Sequence, residues 1–239
     1  MTSREEILTQ IFDRAHISLR EAQIGAFLRY GELLEAWNAK MNLTAITDFQ
    51  EVALKHFLDS VYPFVLKGTA GDLSLVDVGS GAGFPGIPLK ILFPEMNITL
   101  LDSLNKRIGF LNEVIDRLGL TKIRALHGRA EDLGRVSGLR DSFNLATARA
   151  VAPLNVLAEY CLPFVKAGGV FYAYKSESGE TELQSAASAC GALKAKPLEC
   201  LEYDLPGSEY KRSVILIQKT APTPAVYPRR AGTARKKPL

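Results

Sequence analysis

Apolar positions follow two regimes along the chain. In the first 70 residues they recur every three or four positions: Ile7, Leu8, Ile11 and Phe12, then Ile24 to Trp37, then Val52 to Phe64. That period predicts helices with one buried face, and core packing accounts for Trp37 as well. Ser3 with Glu6 and Ser18 with Glu21 have capping-box spacing and mark the first two helix starts. A polar connector over 38–48 precedes the third helix. From Leu73 onward, short apolar runs alternate with helical stretches, which predicts strands at 74–79, 97–102, 122–127, 143–148 and 169–175. Between them, a helix over 104–118 is expected to start on Ser103 as N-cap and stop at Gly119, and another covers 177–191. Alternation of this kind implies a parallel, doubly wound sheet with right-handed crossovers. Two final runs, 198–203 and 213–218, flank Pro206-Gly-Ser208 and read as an antiparallel hairpin at the sheet edge. The expected fold is α/β: a mostly parallel sheet of about seven strands with a terminal antiparallel hairpin, plus a helical N-terminal subdomain. The expected divisions are 1–70, 71–219 and a basic tail, 220–239.

The first predicted strand runs into Gly79, Gly81, Gly83 and Gly86. Strand, glycine turn and helix together place backbone N–H groups around a bound group, and glycines remove the Cβ atoms that would stand in its way. The spacing from Gly81 also satisfies the dinucleotide fingerprint. Strand two ends at Asp102, 21 residues after Gly81, where a carboxylate accepts ribose hydroxyls in such folds. After strand three, Gly128-Arg-Ala-Glu-Asp132 offers a backbone amide and a carboxylate to an adenine edge. In the third helix, His56, Asp59 and Ser60 have the spacing of one helical face. No nucleophile pattern accompanies them, so a polar clasp against the sheet explains them better than a catalytic His–Asp pair.

Charge adds one feature. Of 29 Lys and Arg residues, five (Arg229, Arg230, Arg235, Lys236, Lys237) lie after Lys219, where there is no Asp or Glu; the 26 acids all precede it. A basic end on a slightly acidic body suits an arm that contacts phosphates, and equally a disordered solubilising end. Three cysteines without a CxxC pair indicate reduced thiols, not a zinc site or disulfide framework. There is no apolar run of membrane-spanning length and no secretory h-region, so a cytoplasmic protein without membrane contact is expected.

Asp77-Val-Gly-Ser-Gly-Ala-Gly-Phe-Pro-Gly-Ile-Pro-Leu89 resembles motif I of class I S-adenosylmethionine methyltransferases, whose sheet is Rossmann-like. More narrowly it resembles the RsmG (GidB) family of bacterial 16S rRNA guanine-N7 methyltransferases. Asn42-Leu-Thr44, His56-Phe-Leu-Asp-Ser60, Leu100 to Arg107 with Phe110-Leu111, and Arg129-Ala-Glu131 match as well. So do Ala148 to Leu154, Phe171 to Ser176 and the Tyr227 to Gly232 tail. The resemblance implies S-adenosyl-L-methionine as cofactor, held by Gly79, Phe84, Ala130, Glu131 and Arg149, with Gly81 and Asp102 on the general class I pattern. It implies 16S rRNA and the small ribosomal subunit as partner, and a monomer. Guanine N7 carries a lone pair and no proton, so no general base is expected. Arg149 and Lys175 become substrate-positioning candidates. His56, Lys106, Arg107, Arg129, Lys175, Ser176, Arg229 and Arg230 become RNA-contact candidates.

Two other readings remain open on the residues themselves. A nicotinamide oxidoreductase would use the same glycines and Asp102, though no hydride-transfer pair follows them. A non-catalytic RNA-binding or assembly protein would keep the same fold. On the free-arm reading of the tail, truncation after Lys219 weakens RNA binding and flattens its salt dependence while cofactor affinity is retained.

Overall fold

The computed structural model describes residues 2–150, 152–175 and 179–239, without the side chain of Glu180. Helix α1 (Arg4–Arg14) carries the expected capping box from Ser3 to Glu6. Helix α2 (Glu21–Met41) starts differently from expectation. Arg20 is its N-cap, and Gln23, not Glu21, accepts the Arg20 N–H at 2.9 Å. The other end of the Gln23 amide donates to the carbonyls of Ile91 and Leu92, each at 3.1 Å, so a tertiary contact sets this helix start. At its far end Asn42 turns left-handed, φ 49°. The third helical segment is α3 (Phe49–Val52), a π-helical turn (Ala53–Leu58) and α4 (Asp59–Leu66).

The α/β part follows as β1 (Ser74–Val78), α5 (Gly86–Leu92), β2 (Asn97–Asp102), α6 (Asn105–Arg117), β3 (Ile123–His127), α7 (Ala130–Leu133) and β4 (Phe143–Arg149). It continues with α8 (Leu154–Cys161), β5 (Val165–Lys175), α9 (Gly179–Ser185), α10 (Ala187–Ala192), β6 (Ala195–Asp204), β7 (Lys211–Lys219) and α11 (Thr233–Lys236). The strand order is β3-β2-β1-β4-β5-β7-β6, parallel through β5 and antiparallel at β7 and β6. The expected N-cap Ser103 does not cap α6. Asp102 Oδ1 accepts the N–H of Leu104 at 2.8 Å, and that turn moves the helix start to Asn105.

Alternation along the strands divides the core. Leu75, Leu100, Leu145 and Tyr172 face a layer containing Phe12, Phe27, Tyr30, Phe57 and Phe64 from the N-terminal helices. Val76, Leu101, Ala146 and Phe171 face the opposite layer, with Leu154, Leu157 and Phe164. The helices of residues 1–70 therefore share one core with the sheet. Each fully buried phenylalanine there stabilises the fold by about 1.5–3 kcal/mol.

Asp77, inaccessible to solvent, locks the glycine turn to its neighbours. Oδ2 accepts the N–H of Gly86 at 3.1 Å and Oδ1 accepts the hydroxyl of Thr147 on β4 at 3.0 Å. The glycines divide their work. At Gly83 a Cβ would stand 2.5 Å from Ile87 Cδ1 and 2.8 Å from the Tyr30 hydroxyl; at Gly86, 2.2 Å from Leu100 Cδ2. Those two serve packing. Gly79 (φ 74°) and Gly81 (φ 59°) serve the turn, and a Cβ on Gly81 would meet only the Gly79 carbonyl, at 3.9 Å. Gly86→Ala is accordingly expected to cost about 1–3 kcal/mol through overpacking against buried Leu100. Thermal unfolding would show this as a fall of roughly 2–10 °C for a chain of this size.

Candidate functional site

Successive crossovers leave β1 on both sides, toward β2 and toward β4, so the carboxyl ends of these strands form the crevice where open α/β sheets bind ligands. Among the described residues, two clefts open there. A third, of about 520 Å³ and lined by Ser74, Asn97, Thr99 and Phe143, is larger but lies at the amino ends of β1, β2 and β4, away from the glycine turn. Position relative to the turn outweighs size.

The first cleft, about 450 Å³, is lined by Val78, Gly79, Leu101, Ser103, the 128–131 loop and Tyr160. Buried Asp102 sits between two of these lining residues, Leu101 and Ser103, at the end of β2. Besides holding Leu104, its carboxylate accepts the Gly81 N–H at 2.9 Å and faces Arg107 at 3.3 Å. Buried Ala130 and Glu131 begin α7. Apolar walls from Val78 and Leu101, with carboxylates at Asp102 and Glu131, suit a flat base carrying an amino donor and a sugar carrying hydroxyl donors.

The second cleft, about 390 Å³, is lined by Ile46, Lys55, His56, Asp59, Arg149, Tyr174, Lys175 and Arg212, among others. The π-helical turn sets up its near wall. The Asp59 N–H donates to the His56 carbonyl at the end of this turn, while among the described side chains the Asp59 carboxylate and the His56 imidazole take other partners. Both converge on Arg149. Arg149 donates to His56 Nδ1 at 3.2 Å, to the Lys55 carbonyl at 3.3 Å and to Asp59 Oδ2 at 3.4 Å. His56 Nδ1 lies between this guanidinium and the Lys55 carbonyl, each 3.2 Å away, and Nε2 lies 2.8 Å from Thr44 Oγ1. Burial first, then the Arg149 charge, lowers the His56 pKa from 6.5 to about 3. Asp59 also takes the Tyr203 hydroxyl at 3.1 Å and pairs with Arg212 at 3.6 Å; burial raises its pKa, and the two arginines oppose that rise. Ser60 accepts at its carbonyl from the Tyr174 hydroxyl at 2.6 Å. The expected polar clasp between this helix and the sheet is thus present, with different bonds.

The glycine turn serves both clefts. Gly79 lines the first, whereas Phe84, 6% exposed, stacks on His56 with centroids 4.5 Å apart and lies 4.9 Å from the Arg149 guanidinium. Phe84 and Arg149, both expected at the cofactor, are therefore gathered on the second cleft's side. Lys175 bonds Glu182 at 2.5 Å and the Ala152 carbonyl at 3.2 Å. Lys106, Arg129 and Arg230 are exposed. Ser176 lies outside the described residues. Arg229 is turned inward onto buried Glu159, Nη2 to Oε2 at 2.5 Å. Reasoning from the sequence missed Lys55, Arg212 and Tyr160. Lys55 directly precedes the His56–Ser60 stretch but was not part of it, and Arg212 lies in a segment without a local motif. Tyr160 sits in an apolar helix that reads as core.

Among sequences, a family model described as rRNA small subunit methyltransferase G matches residues 23–209. A ribosomal RNA small subunit methyltransferase G from Acetivibrio thermocellus is 50% identical over 224 residues, 93% of this chain and 91% of its own. One of the same name from Staphylococcus carnosus is 48% identical over 235 residues, 98% of each chain. Among solved structures, a methyltransferase from Pyrococcus furiosus aligns with TM-score 0.53 and 14% identity over 82% of this chain and 98% of its own. The cyclase SpnF aligns with TM-score 0.57 and 12% identity over 85% of this chain and 97% of its own. These structural likenesses show a shared fold and do not choose a reaction.

His56 gives a pH prediction. Its imidazole is expected to show no titration between pH 5 and 8 by NMR. The unfolded ring takes up a proton near pH 6.5 that the folded ring refuses until about 3, so stability falls as pH drops through that window. The slope is up to about 1.4 kcal/mol per pH unit. Comparing denaturation of wild type and His56→Gln at pH 7 and pH 5 measures it, and an equal acid loss in both proteins would remove His56 as the source.

Proposed function

The chain belongs to the ribosomal RNA small subunit methyltransferase G family, and from that membership we propose that it transfers a methyl group from S-adenosyl-L-methionine to N7 of a guanine in 16S rRNA, in the cytoplasm. The observation that carries this reading is the pair of clefts joined by one glycine turn, one suited to an adenosine and the other rich in cations. The nicotinamide reading falls with family membership.

The first cleft's donor set fits the cofactor. Asp102 would take ribose hydroxyls in exchange for its contact with Arg107, and Glu131 with the Ala130 amide would address the adenine edge. The bare turn at Gly79 and Gly81 leaves room beside it. When bound, the cofactor supplies a methyl group already activated on a sulfonium. The chain then has to place the base. Neutral His56 holds Arg149 in position and need not move a proton, since N7 has none to lose. Alignment of this kind supplies roughly 7–11 kcal/mol of a barrier in favourable cases.

The second cleft's charges suit a base that becomes cationic. Arg149 and Arg212 share Asp59, Lys55 pairs with Glu51 and Lys175 with Glu182, so each of these four cations has a carboxylate beside it. Pairing moderates their repulsion of a positive product while leaving donors in place. Arg149 and Lys175 are read as substrate-positioning residues. Of the RNA-contact candidates, Lys106, Arg129 and Arg230 are exposed and available to RNA phosphates. A single-stranded or flipped-out guanine is the form such a pocket accepts.

Incubating the protein with methyl-labelled cofactor and unmodified small-subunit rRNA, free or in particles, is expected to place label on guanine N7. Cofactor binding without label in RNA would instead favour the non-catalytic RNA-binding role. Arg149→Lys keeps the charge beside Asp59 but loses the forked contacts to His56 and Lys55. It is expected to lower the methylation rate roughly a hundredfold, the scale of an ångström-sized misplacement. Affinity for S-adenosylhomocysteine should stay within about threefold, because Arg149 lines the other cleft.

A further inference from the structure

The basic tail is docked along the protein. Lys219, which ends β7, is inaccessible to solvent and donates to Asp141, Thr223 and the carbonyls of Leu162 and Val165. Arg140 then holds the carbonyls of Thr223, Pro224 and Tyr227 at 2.7, 3.2 and 2.8 Å. Next, Glu159, also inaccessible, takes both the backbone N–H and the guanidinium of Arg229. A buried carboxylate needs such a partner, so Arg229 is an anchor. Beyond it the chain turns at Gly232, φ 82°, whose N–H donates to Glu131 Oε1 at 2.8 Å. Short helix α11 follows, with Ala234 buried and Arg235 and Lys236 on the wall of the first cleft.

We propose that residues Gly232 to Lys236 are part of the cofactor site: Gly232 orients Glu131, while Arg235 and Lys236 wall the adenosine end of the cleft, so that cofactor affinity depends on a docked tail. This rests on reading the first cleft as the S-adenosylmethionine site. Glu131 has two carboxylate oxygens, and the tail N–H occupies one of them. That bond fixes the carboxylate's direction and leaves Oε2 for the adenine amino group. It also makes the arrangement reciprocal. If docking of the tail strengthens cofactor binding by some factor, bound cofactor strengthens docking by the same factor. A free phosphate-seeking arm would show neither effect.

The test measures S-adenosylhomocysteine binding calorimetrically for three proteins: wild type, a chain ending at Arg230, and the Arg235→Ala/Lys236→Ala double variant. The shortened chain keeps Arg229 on Glu159 and loses the Gly232 contact. It is expected to bind about tenfold more weakly, within the usual range of such couplings. The double variant, altered only at exposed side chains, should show a smaller loss in the same direction. A second readout uses the intact wild-type chain: saturating S-adenosylhomocysteine should slow trypsin cleavage after Arg230 and Arg235 by about the same factor as the truncation weakens binding. Unchanged affinity in the shortened chain, or tail cleavage indifferent to ligand, overturns the proposal. Failure of wild type to bind S-adenosylhomocysteine overturns the assignment of the cleft itself.

Discussion

A carboxylate taken out of water must be paired, and Asp59 shows how much structure that requirement organises. It is 5% exposed at the start of α4, and its partners come from the ends of three strands: Arg149 of β4, Tyr203 of β6 and Arg212 of β7. Removing one partner of a buried pair typically costs about 3–5 kcal/mol, because the remaining charge stays buried. The N-terminal helices are therefore fixed to the carboxyl edge of the sheet where the second cleft opens. The same bonds position Arg149 beside His56, which burial first, and then the Arg149 charge, keep neutral. Architecture and chemistry are not separable at this residue.

The glycine turn carries a parallel constraint. Asp77 is buried, and burial lifts its pKa to about 6 against the opposing pull of Thr147 and the Gly86 N–H. It lines neither cleft, yet it holds β1, α5 and β4 together beneath the turn. From the other side the Tyr30 hydroxyl donates to the Ala82 carbonyl at 2.5 Å, reaching the turn from α2. A turn braced from both sides keeps its shape whether or not a ligand is present, so binding need not organise it.

Much of this was legible in the residues. Short apolar runs located the parallel strands, because the central ones are buried on both faces and carry little polar alternation; edge strand β3, half-exposed, was located by Ile123, Ala125 and Leu126. Asp102 and the 128–131 loop followed from the topology, which brings strand ends together whatever their separation in sequence. What stayed hidden depends on side-chain partners far apart in the chain. The helix start at Arg20 is set by Gln23 meeting the end of α5. Charge counting made Arg229 part of a loose arm, since composition does not reveal a carboxylate waiting 70 residues upstream. One clue existed: Glu159 is the only charged residue in the apolar helix Leu154–Cys161, and a lone acid there needs a partner.

The tail's charge can now be apportioned. Of its five cations, Arg229 is neutralised internally, whereas Arg230, Arg235, Lys236 and Lys237 remain at the surface, two of them at the mouth of the first cleft. A phosphate arm and a cofactor wall are therefore not competing descriptions of one set of groups. Anchoring by Arg229 is what makes the remaining cations useful at a defined place, because an untethered segment would spread the same charge over a large volume at an entropic cost on every encounter. Exposed Arg129 stands at the start of α7 beside this segment, and Lys106 lies one turn along from Asp102. Their field converges on the edge where the two clefts open, which raises the local concentration of any polyanion there and leaves the choice of one guanine to the geometry around Arg149.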